Sequence, residues 1–329
     1  MITRRAIRNE CGAAPDASCS RVERPRFSEA KGGFPRAECK RAPRTARRRY
    51  ALYCHRHASD ASARGLAEWL AVVDDADAAK PSGVSPTRRR LHVDRASTLQ
   101  ITDLLRRQAR RTAFEVTGGV AAYYLVFAEE DVTKGATKFK LQPPLRHEAH
   151  RQALWAALRE GVVSVVASGH SPVATEGKLT GGNFVRATAG TLGGCNEVLL
   201  PALWTAARRE GFDLAAVANW LCAAPAMLLG LDRKGAIRIG ADADFVLFDP
   251  DANWVVDAAA LQSAERERAH CAAAACRRPP RFECLYEGLA LTGAVVATVL
   301  RGQLVFSRGK FRDAPLGQVL LAAPAQPTE

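Results

Sequence analysis

The sequence lacks the features that mark several classes of protein. Its nine cysteines include no Cys-x-x-Cys pair and have no regular spacing, which argues against a zinc module or a disulfide framework and favours a reducing compartment. No apolar run approaches the length of a membrane span, and the N-terminus has no apolar segment of the signal-peptide kind. We therefore expect a cytoplasmic protein that has no membrane partner.

Acidic residues are scarce at the start of the chain. The first 50 residues hold 14 of the 47 Lys and Arg residues but only 5 of the 34 Asp and Glu residues, so most of the net charge of +13 lies there. Aromatic residues do not interleave with these charges and no RNA- or DNA-binding motif accompanies them, so we expect no specific nucleic-acid partner. Residues 1–48 also lack histidine and any helical or strand periodicity, which predicts a disordered basic leader.

From Tyr50 onward, short apolar runs alternate with amphipathic helical patterns. This rhythm is typical of a parallel α/β sheet or barrel, and it places strands at residues 91–93, 113–117 and 162–167. Ser97, followed three residues later by Gln100, predicts a capping box at the start of one helix. Pro225 is expected to stop or kink the last helix of this region.

The pattern changes after Gly235. Short β runs at residues 236–239, 245–248, 295–300 and 303–306 are separated by Gly and Asp turns, and the pair that flanks Arg301 and Gly302 predicts a hairpin. We interpret residues 257–284, rich in Ala and Arg, as a helix-prone loop. The chain therefore divides into an α/β part, residues 49–234, and a β part with the C-terminal segment, residues 235–329.

Four stretches of the chain form recognisable motifs: FKLQPPLR at residues 139–146, SGHSP at 168–172, RKGAIRIGADADFVLFDP at 233–250 and VLRGQLVFSRGKF at 299–311. They resemble the cyclic amidohydrolases, and the allantoinase family most closely. The resemblance implies a partial TIM-type (β/α) barrel that lacks its first strands, followed by part of a small β-sandwich. It also implies metal-assisted hydrolysis of a cyclic amide, allantoin to allantoate in purine catabolism, with zinc as the divalent metal.

The chain departs from the family at the positions that carry this chemistry. Where the family has metal-binding histidines the chain has Arg95 and Tyr123, and Gly169 stands where the family has the Asp that moves the proton. A guanidinium has no lone pair to give to a metal, and a phenol is a poor replacement for imidazole at zinc. We therefore expect a degenerate active site with no intact metal site, no cofactor for this chain and little or no activity.

Six further residues are candidates for a substrate pocket because they lie in or near the matched loops: Ser168, His170, Ser171, Pro172, Cys195 and Asn196. His170 is equally consistent with shaping the pocket and with being a hydrogen-bonded residue at a strand end. A Cys/His hydrolase is not favoured, since no third group orients Cys195 and a histidine at a recognisable spacing.

Three other features have ordinary explanations. His55 and His57 have the spacing of a ligand pair, but no strand pattern leads into them, which favours a solvated basic patch. Asp94 is expected to pair with Arg95, and Glu115 with an Arg, instead of acting in catalysis.

Two alternatives to the enzyme reading stay open. One is a non-catalytic protein that acts by assembly and resembles the dihydropyrimidinase-related proteins. The other is a degraded, truncated gene product whose basic head is translated from unrelated sequence. Because a barrel without its opening strands exposes sheet edges, we also expect a homo-oligomer or a partner chain that covers them.

Overall fold

The computed structural model describes residues 2–3, 50, 53–54, 59–78, 89–109, 114–178, 180–262, 283–312 and 314–320. The proposed leader, residues 1–48, lies outside this set except for a two-residue strand, β1, at Ile2–Thr3. His55 and His57 also lie outside it. The predictions for the leader and for this histidine pair therefore stay predictions, as does the division into domains.

Three parallel strands form the first sheet: β2 at Arg89–Val93, β3 at Phe114–Ala121 and β4 at Val163–Ala167, in the order β2-β3-β4. Their register pairs Leu91 with Val116 and Val120 with Val166. Each strand overlaps one of the predicted runs, and β3 extends four residues beyond residue 117. The parallel α/β pattern is thus confirmed, and the carboxyl ends of all three strands meet at one edge.

Eight α-helices are present in the described residues. They are α1 Ala61–Ala78, α2 Leu99–Gln108, α3 Ala122–Val126, α4 Glu148–Arg159, α5 Thr175–Lys178, α6 Leu199–Arg209, α7 Leu214–Ala218 and α8 Ala224–Leu228. Short 3₁₀ turns lie at Glu129–Asp131, Thr137–Phe139 and Ala258–Ala260. The apolar faces of α2 and α4 are buried in one continuous core. In this part of the chain no helix combines the length and the apolar character needed to cross a bilayer.

The start of α2 differs from the predicted capping box. Thr98, not Ser97, is the cap, and its Oγ1 accepts a hydrogen bond of 3.3 Å from the backbone N of Ile101. Ser97 is one residue too early, because the helix begins at Leu99. Its buried hydroxyl has no hydrogen-bond partner among the described residues.

Pro225 does not stop the helix in which it lies. A π-helical turn at Asn219–Ala223 joins α7 to α8, and Pro225 sits in the first turn of α8. Proline has no N–H to donate to a residue one turn earlier, so a change of hydrogen-bond pattern just before it keeps the helix continuous.

The second sheet has five strands in the order β1-β5-β6-β7-β8. The four strands that follow β1 are β5 Phe245–Val255, β6 Ala290–Leu300, β7 Gln303–Ser307 and β8 Lys310–Phe311. The hairpin between β6 and β7 is confirmed. Arg301 and Gly302 have φ values of 48° and 79°, as a two-residue turn of the primed type requires.

The strand expected at residues 236–239 is absent: the structure assigns no strand to these residues. Ile237 and Ile239 are exposed, and Gly240 turns the chain with φ 85°. The β-branched residues that suggested a strand have no neighbouring strand to pair with, so their intrinsic preference is not realised.

Helix α6 joins the two sheets. Thr205 Oγ1 accepts from Thr292 N at 2.8 Å and donates to Pro201 O at 2.7 Å, while Trp204 Nε1 donates to Pro250 O at 3.0 Å. Gly293 permits the close approach, because a Cβ there would lie 2.7 Å from Trp204 Cδ1. The parallel sheet and the antiparallel sheet therefore share one packed core around α6.

Candidate functional site

A cavity of about 220 Å³ lies beyond the carboxyl ends of the parallel strands. Its lining includes Arg95 after β2, Tyr123 after β3 and Gly169 after β4. The remaining lining residues are Leu141, Gln142, Ser171, Ala189, Gly190 and Thr191. The three substituted family positions, separated by up to 74 residues in sequence, thus come together around one small space.

Arg95 supplies the positive charge of the cavity. Its Nε lies 3.3 Å from Asp94 Oδ2, and its Nη1 donates to Gln142 O at 3.2 Å. The expected ion pair with Asp94 is therefore confirmed. The side chain is 37% exposed and that of Asp94 is 69% exposed, so the pair is only weakly stabilising.

Tyr123 is buried and packs edge-on against Tyr124, with ring centroids 4.6 Å apart. Burial raises the pKa of Tyr123 above its usual value, although the charge of Arg95 acts in the opposite direction. The phenol is therefore protonated at neutral pH. A protonated phenol is a hydrogen-bonding group and a poor metal ligand.

Gly169 lies directly against the ring of Tyr123. A Cβ at this position would be 2.5 Å from Tyr123 Cε1 and 2.7 Å from Ala121 Cβ, and the backbone has φ 62°. Real Cβ atoms do not approach other carbons so closely, so the tyrosine ring fills the space where an Asp side chain would begin. The two substitutions are sterically compatible with each other, whereas an Asp beside Tyr123 is not.

The other candidates surround the cavity to different degrees. Ser171 lines it, and its backbone N donates to Thr191 Oγ1 at 2.8 Å. Ser168 Oγ donates to Asn196 Oδ1 at 2.5 Å, while His170 and Pro172 are exposed. The structure places Ser168, His170, Pro172, Cys195 and Asn196 outside the cavity lining, and any role in substrate binding stays a prediction.

Cys195 is fully buried and faces Leu192 O, with 3.6 Å between Sγ and the carbonyl oxygen. Burial, with a contribution from Cys284, raises the pKa of its thiol to about 12. A thiol is a nucleophile only as thiolate, so Cys195 is inert at neutral pH.

Lys178 was not singled out by the sequence, although it organises one wall of the cavity. It is completely buried, and its Nζ donates to the carbonyl oxygens of Lys140 at 2.6 Å, Thr188 at 3.3 Å and Gly190 at 2.5 Å. Burial and the charge of Lys140 lower its pKa to about 7. Three carbonyl acceptors match the three N–H bonds of an ammonium group, so the side chain ties the loop containing Gly190 to the segment around Lys140.

No cluster of three or more His, Cys, Asp or Glu side chains that could hold a metal occurs in the described ranges. His92, on β2, is engaged with Thr117 Oγ1 at 2.8 Å, and burial lowers its pKa. Glu115 pairs with Arg90 at 3.3 Å, as expected. The donor set at this edge, a guanidinium, a phenol and a glycine, does not fit the zinc that the resemblance implies.

Comparison with known proteins bears out the resemblance. Residues 142–305 match the model of the amidohydrolase family. An allantoinase of Streptomyces avermitilis is 36% identical over 71% of this chain and 48% of its own length, and one of Arabidopsis thaliana is 34% identical over 73% of this chain and 44% of its own. The chain belongs to the amidohydrolase family. It matches the C-terminal part of allantoinases and spans about half the length of the curated relatives.

Solved structures agree on the fold of this amidohydrolase chain. The L-hydantoinase (dihydropyrimidinase) of Arthrobacter aurescens superposes with a TM-score of 0.59 at 27% identity, over 68% of this chain and 46% of that protein. This similarity and the two observed sheets confirm the predicted fold class, an α/β partial barrel accompanied by an antiparallel sheet.

Proposed function

We propose that this amidohydrolase chain retains the scaffold of an allantoinase-type site but does not hydrolyse allantoin or another cyclic amide by the metal-dependent route. The observation that supports this proposal is the meeting of Arg95, Tyr123 and Gly169 in one cavity. The resemblance assigns metal binding to positions 95 and 123 and proton transfer to position 169. None of the three residues present is suited to its task.

Hydrolysis of an amide has three requirements. A water molecule must lose a proton, the carbonyl must be polarised, and the leaving nitrogen must gain a proton. Arg95 cannot accept a proton or donate a lone pair, and Tyr123 holds its proton well above neutral pH. Asp94 is the carboxylate nearest to Arg95 in sequence, but it is exposed, paired with that guanidinium and absent from the cavity lining.

An assembly role is a second candidate, supported by the edges of the parallel sheet. In the part of the chain that is described, β2 and β4 each pair only with β3, so neither has a strand partner along its outer edge. Open edges of this kind favour pairing with a second copy or with a partner chain. We propose a cytoplasmic setting for either role.

Turnover measurements test the proposal. The full chain is incubated with allantoin, and separately with hydantoin, in the presence of zinc, manganese or cobalt, and ring opening is followed by chromatography. We expect no product above a metal-only blank, with the Streptomyces avermitilis allantoinase as the positive control for allantoin. Metal-dependent turnover that disappears on Arg95→Ala would overturn the proposal.

A further inference from the structure

Among the described residues that line the cavity, one carries a charge, and it is a cation. Arg95 is accompanied by the neutral side chains of Tyr123, Gln142, Ser171 and Thr191, and the cavity lining contains no acidic residue. The counter-charge of this guanidinium, Asp94, lies outside the cavity lining, where it is exposed to solvent and only weakly paired, so the lining itself is positive. Such a site favours an anion over a neutral molecule of the same shape.

The guanidinium has free donors for such an anion. Of its five N–H bonds, the one on Nε faces Asp94 and one on Nη1 reaches Gln142 O. Nη2 has no hydrogen-bond partner within the described residues, and the second N–H of Nη1 is also open. The guanidinium therefore keeps both N–H bonds of Nη2 and one of Nη1 for an anion, and neighbouring N–H bonds of a guanidinium are the donors that a carboxylate accepts.

The neutral groups support binding of an anion. The Tyr123 phenol keeps its proton but already shares a hydrogen bond with Tyr124, whose hydroxyl donates to Pro143 O. The hydroxyl donor left for an anion is therefore the Ser171 hydroxyl, which makes no hydrogen bond in the described part of the chain. Hydroxyls are donors that a carboxylate oxygen can accept from. The volume of about 220 Å³ lies below the roughly 300 Å³ at which cavities for larger ligands begin, so the ligand is small.

We propose that this cavity is a receptor for a small monocarboxylate, with Arg95 pairing with the carboxylate. A phosphate fits less well, because the lining, as far as the chain is described, holds no second cation to balance a second negative charge. The inference rests on the proposed function, since it assigns Arg95 a binding role in a site where no metal is expected.

Two probes with nearly the same skeleton test the inference. Hydantoate is an open-chain ureido carboxylate, and hydantoin is the uncharged ring that forms from it by loss of water. Titration calorimetry with the full chain should show binding of hydantoate, with hydantoin and inorganic phosphate each bound at least about 10-fold more weakly. No binding of hydantoate, or equal binding of hydantoin or phosphate, would overturn the inference.

Variants of Arg95 locate the site. Arg95→Met should weaken hydantoate binding by about 10-fold or more, and Arg95→Lys should lie between it and the wild type because it keeps the charge and loses the fork. Arg90→Met is the matched control: this arginine is on the same sheet but paired with Glu115, and its loss should leave binding unchanged. Equal affinity in wild type and Arg95→Met would contradict the assignment.

Asp94→Asn gives a test of the opposite sign and does not depend on how the Arg95 variants fold. Removing this exposed carboxylate frees the Nε donor and removes a competing negative charge, so hydantoate should bind several-fold more tightly. Weaker or unchanged binding would count against the inference. Ring opening of hydantoin would refute the proposed function instead, so the two failures can be told apart.

Discussion

The contact between Gly169 and Tyr123 predicts a strong coupling between these two positions. Gly169→Asp forces a Cβ to within 2.5 Å of Tyr123 Cε1 and places a non-glycine residue at φ 62°. Overpacking of this kind costs about 1 to 3 kcal/mol, and the left-handed backbone adds about 1 kcal/mol. We therefore expect Gly169→Asp to lower the free energy of unfolding by about 2 to 4 kcal/mol in urea denaturation.

Tyr123→His should relieve part of that cost, because it shortens the ring that occupies the space. In the Tyr123→His background the steric cost of Gly169→Asp falls. The coupling free energy between the two substitutions in a double-mutant cycle should therefore be about 1 to 3 kcal/mol. Tyr123→Phe is the matched control, since it keeps the ring and removes only the hydroxyl, and it should leave the cost of Gly169→Asp undiminished. Additive effects of Gly169→Asp and Tyr123→His would show that the ring is not the obstacle.

Three further perturbations have defined outcomes. Lys178→Met removes the side-chain donor from the carbonyl oxygens of Thr188 and Gly190, while Lys140 O keeps the backbone N of Gly190, and it should lower the free energy of unfolding by roughly 2 to 4 kcal/mol; a loss below about 1 kcal/mol would contradict the role of the ammonium. Stability should fall as pH rises above about 9, by about 1 kcal/mol per pH unit for each of Cys54 and Cys195, because burial raises both pKa values to about 12 and only the unfolded chain ionises there. Cys195→Ala should make the fall in stability with pH less steep, and an unchanged pH dependence would contradict the contribution assigned to Cys195. Thr98→Ala should cost about 1 kcal/mol by thermal melting, whereas Ser97→Ala should cost little, and the reverse order would restore Ser97 as the cap.

The sequence alone is enough to predict that the substituted positions lie close together. Once three parallel strands are placed by their apolar runs, the residues that follow them must share one edge of the sheet, because parallel strands end on the same side. Arg95, Tyr123 and Gly169 each follow a predicted strand, so their common cavity needed no knowledge of side-chain positions. The hairpin at Arg301 and Gly302 was accessible for a similar reason, since its turn chemistry is local.

Other features depend on contacts between distant residues and leave little trace in local patterns. The partners of Lys178 are backbone carbonyls up to 38 residues away, which any residue type provides, so no spacing signals them. The clash that excludes a side chain at Gly169 depends on the position of the Tyr123 ring. Residues 236–239 have the composition of a strand, but a strand also needs a neighbour to pair with, and composition does not supply one.

The central claim is that Arg95, Tyr123 and Gly169 leave this site without metal and without the family hydrolysis. It is tested most directly by measuring, on one sample of the full chain refolded or purified with excess zinc and then desalted, both bound metal by mass spectrometry and allantoin turnover. The account predicts zinc well below one equivalent per chain and no allantoate above the blank. One equivalent or more of zinc per chain together with allantoate formation would contradict it.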